Sequence, residues 1–347
     1  MSAAPEYDDF DEVDEIESLY AIRNLSKSER IGSRKKPAIP ASDGVQLAEL
    51  ENDLSSLSIS YNASRHERGW LIHSIGDFFD QRWLDDVLRL VKGGKEANVY
   101  QCLANSSVQG LDQPYLAAKI YRPRQFRNLK NDHLYREGRQ HLDENGKLIK
   151  DDGKLHAIAK HTEFGREVLL TSWIEHEVKT LQVLEAAGAD VPRVFASRNN
   201  AILMSFIGGT DGGAPVLHSV RLEDRQAHRV FDRVVHNIKV MLDQNRVHAD
   251  LSPFNILYWE GEITIIDFPQ AIDPNDNRNA YWIFVRDVVR ICDYFARQGV
   301  KSDPHRLADS LWKEHHLKEI PDIHPRMLNS EDEADRTYWQ HWSADDR

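Results

Sequence analysis

His248-Ala249-Asp250-Leu251-Ser252-Pro253-Phe254-Asn255, followed by Ile263-Thr264-Ile265-Ile266-Asp267, is the stretch on which the fold turns. It sets an Asp, an Asn five residues later and a second Asp at the end of an apolar strand. Phosphoryl transfer needs groups of these kinds at such a spacing. The first carboxylate faces the hydroxyl or water that attacks a γ-phosphate. The Asn and the second Asp hold Mg²⁺ against phosphate oxygens whose charge would otherwise oppose that approach. Ile256-Leu257-Tyr258 is strand-like, and Glu260-Gly261-Glu262 fits a hairpin turn. The bland alternative makes Asp250 a turn cap and Asp267 a strand end. It requires three polar residues to fall in register by coincidence.

Upstream, Val91-Lys92-Gly93-Gly94-Lys95-Glu96-Ala97-Asn98-Val99-Tyr100 places two glycines between strand-like segments. A backbone there can approach phosphates, with Lys95 adding a charge. The pattern is neither G-x-G-x-x-G nor a Walker sequence, and by itself it is an ordinary hairpin. Tyr115-Leu116-Ala117-Ala118-Lys119-Ile120-Tyr121 is an apolar strand with a lysine inside it. A buried lysine needs a partner, although a strand lysine is more often an edge or snorkelling residue. Trp173 to Leu184 has a helical pattern stopped at Ala187-Gly188. Its Glu177 is the expected partner of Lys119, and Glu175 is the weaker candidate. Val191–Phe195 and Ala201–Ile207 read as strands, and Gly208-Gly209 ends the second. Backbone groups of Ser205 and Ile207 at this hinge suit an adenine edge.

The remainder of the chain sets the limits. It has 347 residues, 41% of them hydrophobic, enough for one large two-lobed domain with extensions. A net charge of −12 argues against broad nucleic-acid binding. A local run (Arg122, Arg124, Arg127, Lys130, Arg136, Arg139) reads equally as a phosphate contact or a solvated face. Two cysteines suggest no disulfide framework and fit a reducing cytosol. No apolar run approaches ~18 residues and no signal peptide is visible, so a soluble cytoplasmic protein with no membrane partner is expected. Residues 1–65 read as an acidic, largely disordered tail, with eight acids between Glu6 and Glu17. Leu47, Leu50, Leu54 and Leu57 within it suggest a small amphipathic helix. The folded part is expected to begin near Arg68. A helix bearing Phe78, Phe79 and Trp83 should run into a strand. A polar insertion lies at about 122–172, with two turn clusters flanking a hairpin. Helices are expected over Asp224 to about Asn245 and Tyr281 to Arg297, and mostly helix from Lys301 onward.

In four places the chain resembles the RIO protein kinase family, most closely its first subtype. These are Gly94-Lys95-Glu96-Ala97-Asn98-Val99-Tyr100, Ala118-Lys119-Ile120-Tyr121, Met204-Ser205-Phe206-Ile207-Gly208, and His248-Ala249-Asp250-Leu251-Ser252 with Asn255 and Ile265-Ile266-Asp267. Arg286-Asp287 also looks similar, and the likeness covers roughly residues 75–300. It implies an α+β, two-lobed protein-kinase-like fold in the trimmed RIO version. The N-lobe, 66–207, would hold an antiparallel sheet plus a helix. The C-lobe and C-terminal helices, 208–347, would be mainly helical and lack an activation segment. In agreement, Asp267 is followed by Phe268-Pro269-Gln270, no A-P-E follows, and Ser252 stands where ordinary kinases carry a catalytic-loop lysine.

The resemblance implies an ATP-dependent serine/threonine kinase or ATPase using Mg²⁺ or Mn²⁺. Its catalytic residues would be Asp250 and Asp267, with an aspartyl-phosphate intermediate on Asp267. Asn255 and Asp267 would be metal ligands, and Lys95, Lys119, Glu177, Ser205 and Ile207 would bind ATP. Implied partners are ATP, a protein substrate or the chain itself, and a pre-ribosomal particle. Two alternatives stay open. One is a small-molecule phosphotransferase of the aminoglycoside or choline kinase type, although only 80 residues follow Asp267. The other is a nucleotide-gated ribosome-assembly factor.

Overall fold

The computed structural model describes residues 59–94, 96–122 and 139–319, all within the unit Glu49–Arg347. The acidic tail, its leucine-spaced helix, Lys95, most of the basic run and residues 320–347 lie outside the described residues.

The small lobe opens with helix α1 (Arg65–Asp80). Its first turn is closed by the Ser64 side chain, which accepts from the Glu67 amide. Leu71, Ile75 and Phe78, at helical spacing, bury one face. Folding begins earlier than the expected Arg68, because Ile59 is already buried in the same cluster. The helix also ends before Trp83, ahead of strand β1 (Leu84–Gly93). Strands β2 (Ala97–Ala104) and β3 (Tyr115–Tyr121) follow. Next come α2 (Asp152–Ala159) and the long helix α3 (Glu163–Ala186). Strands β4 (Val194–Arg198) and β5 (Ala201–Ser205) complete a five-stranded antiparallel sheet in the order β1-β2-β3-β5-β4. β4 starts later than the sequence pattern suggested, beyond Pro192, which has no amide to give a ladder. Pairing of Lys119 with Val99 on one side and Ile202 on the other makes β3 a central strand.

The expected insertion is partly regular. Leu142 and Leu148 bridge around the turn at Asp143–Lys147, and α2 follows it. Helix α3 starts at Glu163, ten residues before the expected Trp173, with Thr162 as its cap. Gly165 is where α2 crosses it, since a Cβ there would stand 2.0 Å from the Ala157 carbonyl oxygen. α3 serves both lobes. Ile174 and Val178 pack under the sheet, while Leu181 and Leu184 join the large-lobe core.

After the hinge, β6 (Gly208–Gly209) and β7 (Gly212–Gly213) form a tight hairpin. Gly208, at φ +141°, is required: a Cβ would meet the Gly212 oxygen at 2.4 Å. Helix α4 (Asp224–Asp243) is started by a capping box between Glu223 and Gln226. The catalytic stretch follows and leads into the hairpin of β8 (Ile256–Trp259) and β9 (Glu262–Ile265). Helices α5 (Ala280–Arg297) and α6 (Pro304–Glu314) close the large lobe. Its core joins Val230, Val234 and Ile238 of α4 to Phe284, Val288 and Ile291 of α5. Among the described residues, no helix is long and apolar enough to cross a membrane. Cys102 and Cys292 are both free and buried, one in each lobe.

Candidate active site

A cleft of about 700 Å³ runs between the sheet and the large lobe. That is a volume suited to a small-molecule ligand. Val91, Ala97, Ala117, Met204, Leu257 and Ile266 give it apolar walls. Lys119, Glu177, Asp250 and Asp267 open into the same space, as does Glu96. The two aspartates, 17 residues apart in sequence, therefore share one cavity.

Three elements build the charged floor. β3 brings Lys119, 8% exposed, into an otherwise apolar strand. α3 brings Glu177, 1% exposed, and the turn after β9 brings Asp267. Lys119 Nζ lies 2.7 Å from Glu177 Oε1 and 2.7 Å from Asp267 Oδ1. Glu177 Oε1 also accepts the Phe268 amide at 3.3 Å, which ties α3 to the strand end carrying Asp267. Burial works against a charge on Lys119, but Asp267 and Glu177 overcome it and raise its pKa above the usual lysine range. Burial also opposes ionisation of Asp267, yet the ammonium beside it holds that carboxyl below the usual range. For Glu177 burial prevails and its pKa is raised. Burial and then the negative charge of Asp267 push Glu96 up to about 6, against the pull of Lys119. Of the two glutamates weighed for Lys119, Glu175 instead accepts the Ser197 hydroxyl.

The catalytic loop is held from behind. Ala249 and Asp267 have φ of +67° and +73°, left-handed conformations that cost a non-glycine residue on the order of 1 kcal/mol each. Arg286 donates to the Ala249 carbonyl at 2.6 Å and to Asp287 at 3.3 Å. His248 Nδ1 accepts the Asp250 amide, so its proton sits on Nε2 and is donated to the Ile266 carbonyl at 3.1 Å. Asn255 donates through Nδ2 to the Asp250 carbonyl at 2.9 Å and to Asp250 Oδ2 at 3.0 Å. The Ile266 amide returns to the Asn255 carbonyl at 2.9 Å. Loop and strand end thus form one bonded unit.

These groups fit Mg²⁺. Asn255 commits its amide nitrogen to Asp250, and its side-chain oxygen accepts no hydrogen bond among the described groups, which leaves it as a donor atom for a cation. Asp267 gives one oxygen to Lys119, keeps the other, and has a side chain 40% exposed to the cleft. Two hard oxygen donors beside a space for phosphates match a cation that keeps several non-protein ligands. Among the described residues no three His, Cys, Asp or Glu side chains come together as a closed metal cage.

At the hinge the expected pair divides. Ser205 gives its amide to the Arg193 carbonyl at 2.8 Å, and its hydroxyl accepts the Arg193 amide at 3.0 Å. The Ile207 carbonyl accepts from Ala214 at 2.8 Å, while the Ile207 amide has no acceptor among the described groups. The structure thus brings Lys119, Glu177, Asp250, Asp267 and Ile207 to one cleft and bonds Asn255 to Asp250. Lys95 lies outside the described residues. Sequence reasoning assigned no role to Glu96, which was visible only as part of the glycine-loop motif. It also missed Arg290, which donates to Asp250 Oδ1 at 3.2 Å, and Arg89, which donates to the Asp211 and Thr210 carbonyls at the hinge hairpin. No local pattern marks these arginines, because each reaches its partner across the fold.

Comparison with known proteins agrees with this geometry. The family model of the RIO domain matches residues 98–307. The RIO-type serine/threonine-protein kinase Rio1 of Thermoplasma acidophilum is 30% identical over 167 residues, covering 48% of this chain and 84% of that protein. The serine/threonine-protein kinase RIO3 of Bos taurus is 25% identical over 219 residues, 63% of this chain but only 40% of that one. The Rio2 kinase of Chaetomium thermophilum overlays with a TM-score of 0.50 at 19% identity, covering 80% of this chain and 78% of that one, a likeness of fold. The match to the RIO domain model takes in the hinge, the catalytic loop and Asp267, and this chain belongs to the RIO domain family.

Proposed function

We propose that the chain is a RIO-type ATP-dependent serine/threonine kinase or ATPase. One observation carries the reading: Lys119, Asp250 and Asp267 converge on a single cleft that Ile207 also lines with an amide left without an acceptor among the described groups, and Asn255 is bonded to Asp250. The adenine would lie between the apolar walls with its edge on the Ile207 amide. Lys119 would reach the inner phosphates, its position fixed by Glu177. Mg²⁺ held by Asn255 and Asp267 would neutralise charge on the phosphate oxygens. Asp250 faces the acceptor and takes the proton of the attacking hydroxyl or water. The acceptor oxygen bonds to the γ-phosphorus, the bond from that phosphorus to the bridging oxygen breaks, and ADP leaves. The acceptor is a protein hydroxyl, on a substrate or on the chain itself, or water.

Asp250→Ala should lower phosphate release from ATP by about 10²-fold or more while leaving nucleotide binding largely intact. Wild-type turnover in that variant would remove the assignment. A second reading draws on the open oxygen of Asp267, ionised beside Lys119 and facing the cleft. It would itself attack the γ-phosphorus, the bond from that phosphorus to the bridging oxygen would break with ADP leaving, and Asp267 would carry the phosphoryl group until water hydrolyses it. Label from γ-labelled ATP that is released by hydroxylamine favours this route, and acid-stable label favours Ser or Thr.

A further inference from the structure

We infer that Arg290 is the positioning residue of the phosphoryl-transfer step, supplying from helix α5 the fixed cation that the catalytic loop itself lacks. The inference rests on the reading of Asp250 as the acceptor-facing carboxylate. From His248 to Asn255 the loop contains no lysine or arginine. Lys119 is committed to two carboxylates at 2.7 Å each. Arg290, forty residues beyond Asp250, places Nη1 3.2 Å from Asp250 Oδ1. Asn255 holds the other oxygen at 3.0 Å. The carboxylate is therefore gripped at both ends, which fixes its plane and its distance from the cleft. Each oxygen keeps a second lone pair, so an incoming hydroxyl can still be bound.

The supporting side chains point to a built arrangement. α5 is anchored directly behind the loop through Arg286, which donates to the Ala249 carbonyl and to Asp287, itself 2% exposed. Arg290 lies one turn further along the same helix. Arg290 has a side chain 29% exposed, and Asp250, 45% exposed, lines the cleft, so the pair is open to solvent. Most exposed ion pairs contribute little to stability. This one therefore has little value as a fold contact, and its value lies in holding one catalytic oxygen in place. A planar guanidinium suits that task, because it presents several donors in a rigid fork. Arg290 acts through Asp250 and does not touch the reacting atoms.

The test uses the full chain with Mg²⁺ and ATP, following ADP formation and, separately, binding of a fluorescent ATP analogue. Arg290→Ala should lower kcat about 10- to 100-fold, the scale seen when a group orienting a reactive ligand is removed. Its KM for ATP and its affinity for the analogue should stay within about twofold. Arg290→Lys should recover part of the loss, and millimolar guanidinium should recover part of it in Arg290→Ala. In the Asp250→Asn background, Arg290→Ala should cost nothing further. Wild-type kcat in Arg290→Ala with an inactive Asp250→Asn overturns the positioning role and leaves the catalytic reading standing. Wild-type kcat in Asp250→Asn removes both. Additive losses in the double variant, or equal losses in kcat and analogue binding without rescue, show a structural role and overturn the inference. Should Arg290→Ala fail to fold, Arg290→Gln takes its place in every comparison.

Discussion

Two charged networks tie the lobes together, and they are built to opposite rules. In the cleft, Lys119 sits between a buried Glu177 and an Asp267 that opens to the cavity, with like charges held close. Glu177 Oε2 is buried there without a hydrogen-bond partner. On the outer side of the hinge, Asp190 takes two parallel bonds from Arg233, at 2.5 and 2.6 Å, and one from Asn237 at 2.7 Å. The Asn237 side-chain oxygen in turn accepts the Asp190 amide, and the Asp190 carbonyl receives the Ile265 amide at the end of β9. The outer network satisfies its members, whereas the inner one does not. Buried polar groups left short of partners cost stability, and such a debt persists where chemistry requires the groups. On the proposed reading the inner network meets the phosphates, and the outer one bonds the chain just after α3 to α4 and to the end of β9.

The largest break in this contrast should come from Lys119→Met. It removes the cation that both carboxylates share, and turnover should fall by about 10²-fold or more. Stability should fall in a pH-dependent way. Burial already raises the pKa of Glu177, and Lys119 is the first group opposing that rise. A carboxyl with a raised folded pKa stabilises the fold fully below its unfolded value and loses that contribution as pH rises through the folded value. Without Lys119 the folded value climbs further, so the drop in Tm should be greater at pH 8 than at pH 6. Equal drops at the two pH values would mean that Glu177 is not the group left stranded.

Asp190→Ala should give the reverse pattern. It strips partners from Arg233 and from Asn237, which is fully buried. The cost should be about 1–3 kcal/mol in denaturant unfolding, the desolvation penalty of unpaired polar groups. The backbone bond from Ile265 remains, so activity per folded molecule should change by less than about twofold. A large loss of kcat at unchanged stability would merge the two networks into one functional unit.

The inner network was legible in the sequence and the outer one was not. Lys119 stands out because its strand is otherwise apolar, and a cation there demands a partner. Glu177 follows from the phase of a helix whose apolar side is marked by Val178, Leu181 and Leu184. Asp250, Asn255 and Asp267 are fixed by spacing along a loop and hairpin, where sequence distance and spatial distance nearly coincide. Asp190, Arg233 and Arg290 are ordinary surface residues by pattern, and only the docking of α3, α4 and α5 gives them partners. The sequence pattern shows helix α3 ten residues short because Glu163-Phe164-Gly165-Arg166-Glu167 is mixed in polarity and contains a glycine. That glycine is explained only by α2 crossing over it.

The smallest effect should come from the pair that shares the chemistry of both networks but the burial of neither. Lys239 of α4 reaches Glu314 of α6 at 3.0 Å, with side chains 40% and 53% exposed. Water solvates both ends in the folded and the unfolded chain, and ordering two long side chains offsets much of the Coulomb attraction. Lys239→Ala should therefore shift unfolding by less than about 0.5 kcal/mol, and less again in high salt. Its distance matches those of the inner pairs to within a few tenths of an ångström, so distance cannot set the ranking. If Lys239→Ala cost as much as Asp190→Ala, desolvation and unmet hydrogen bonds would not be what separates the networks from an exposed pair.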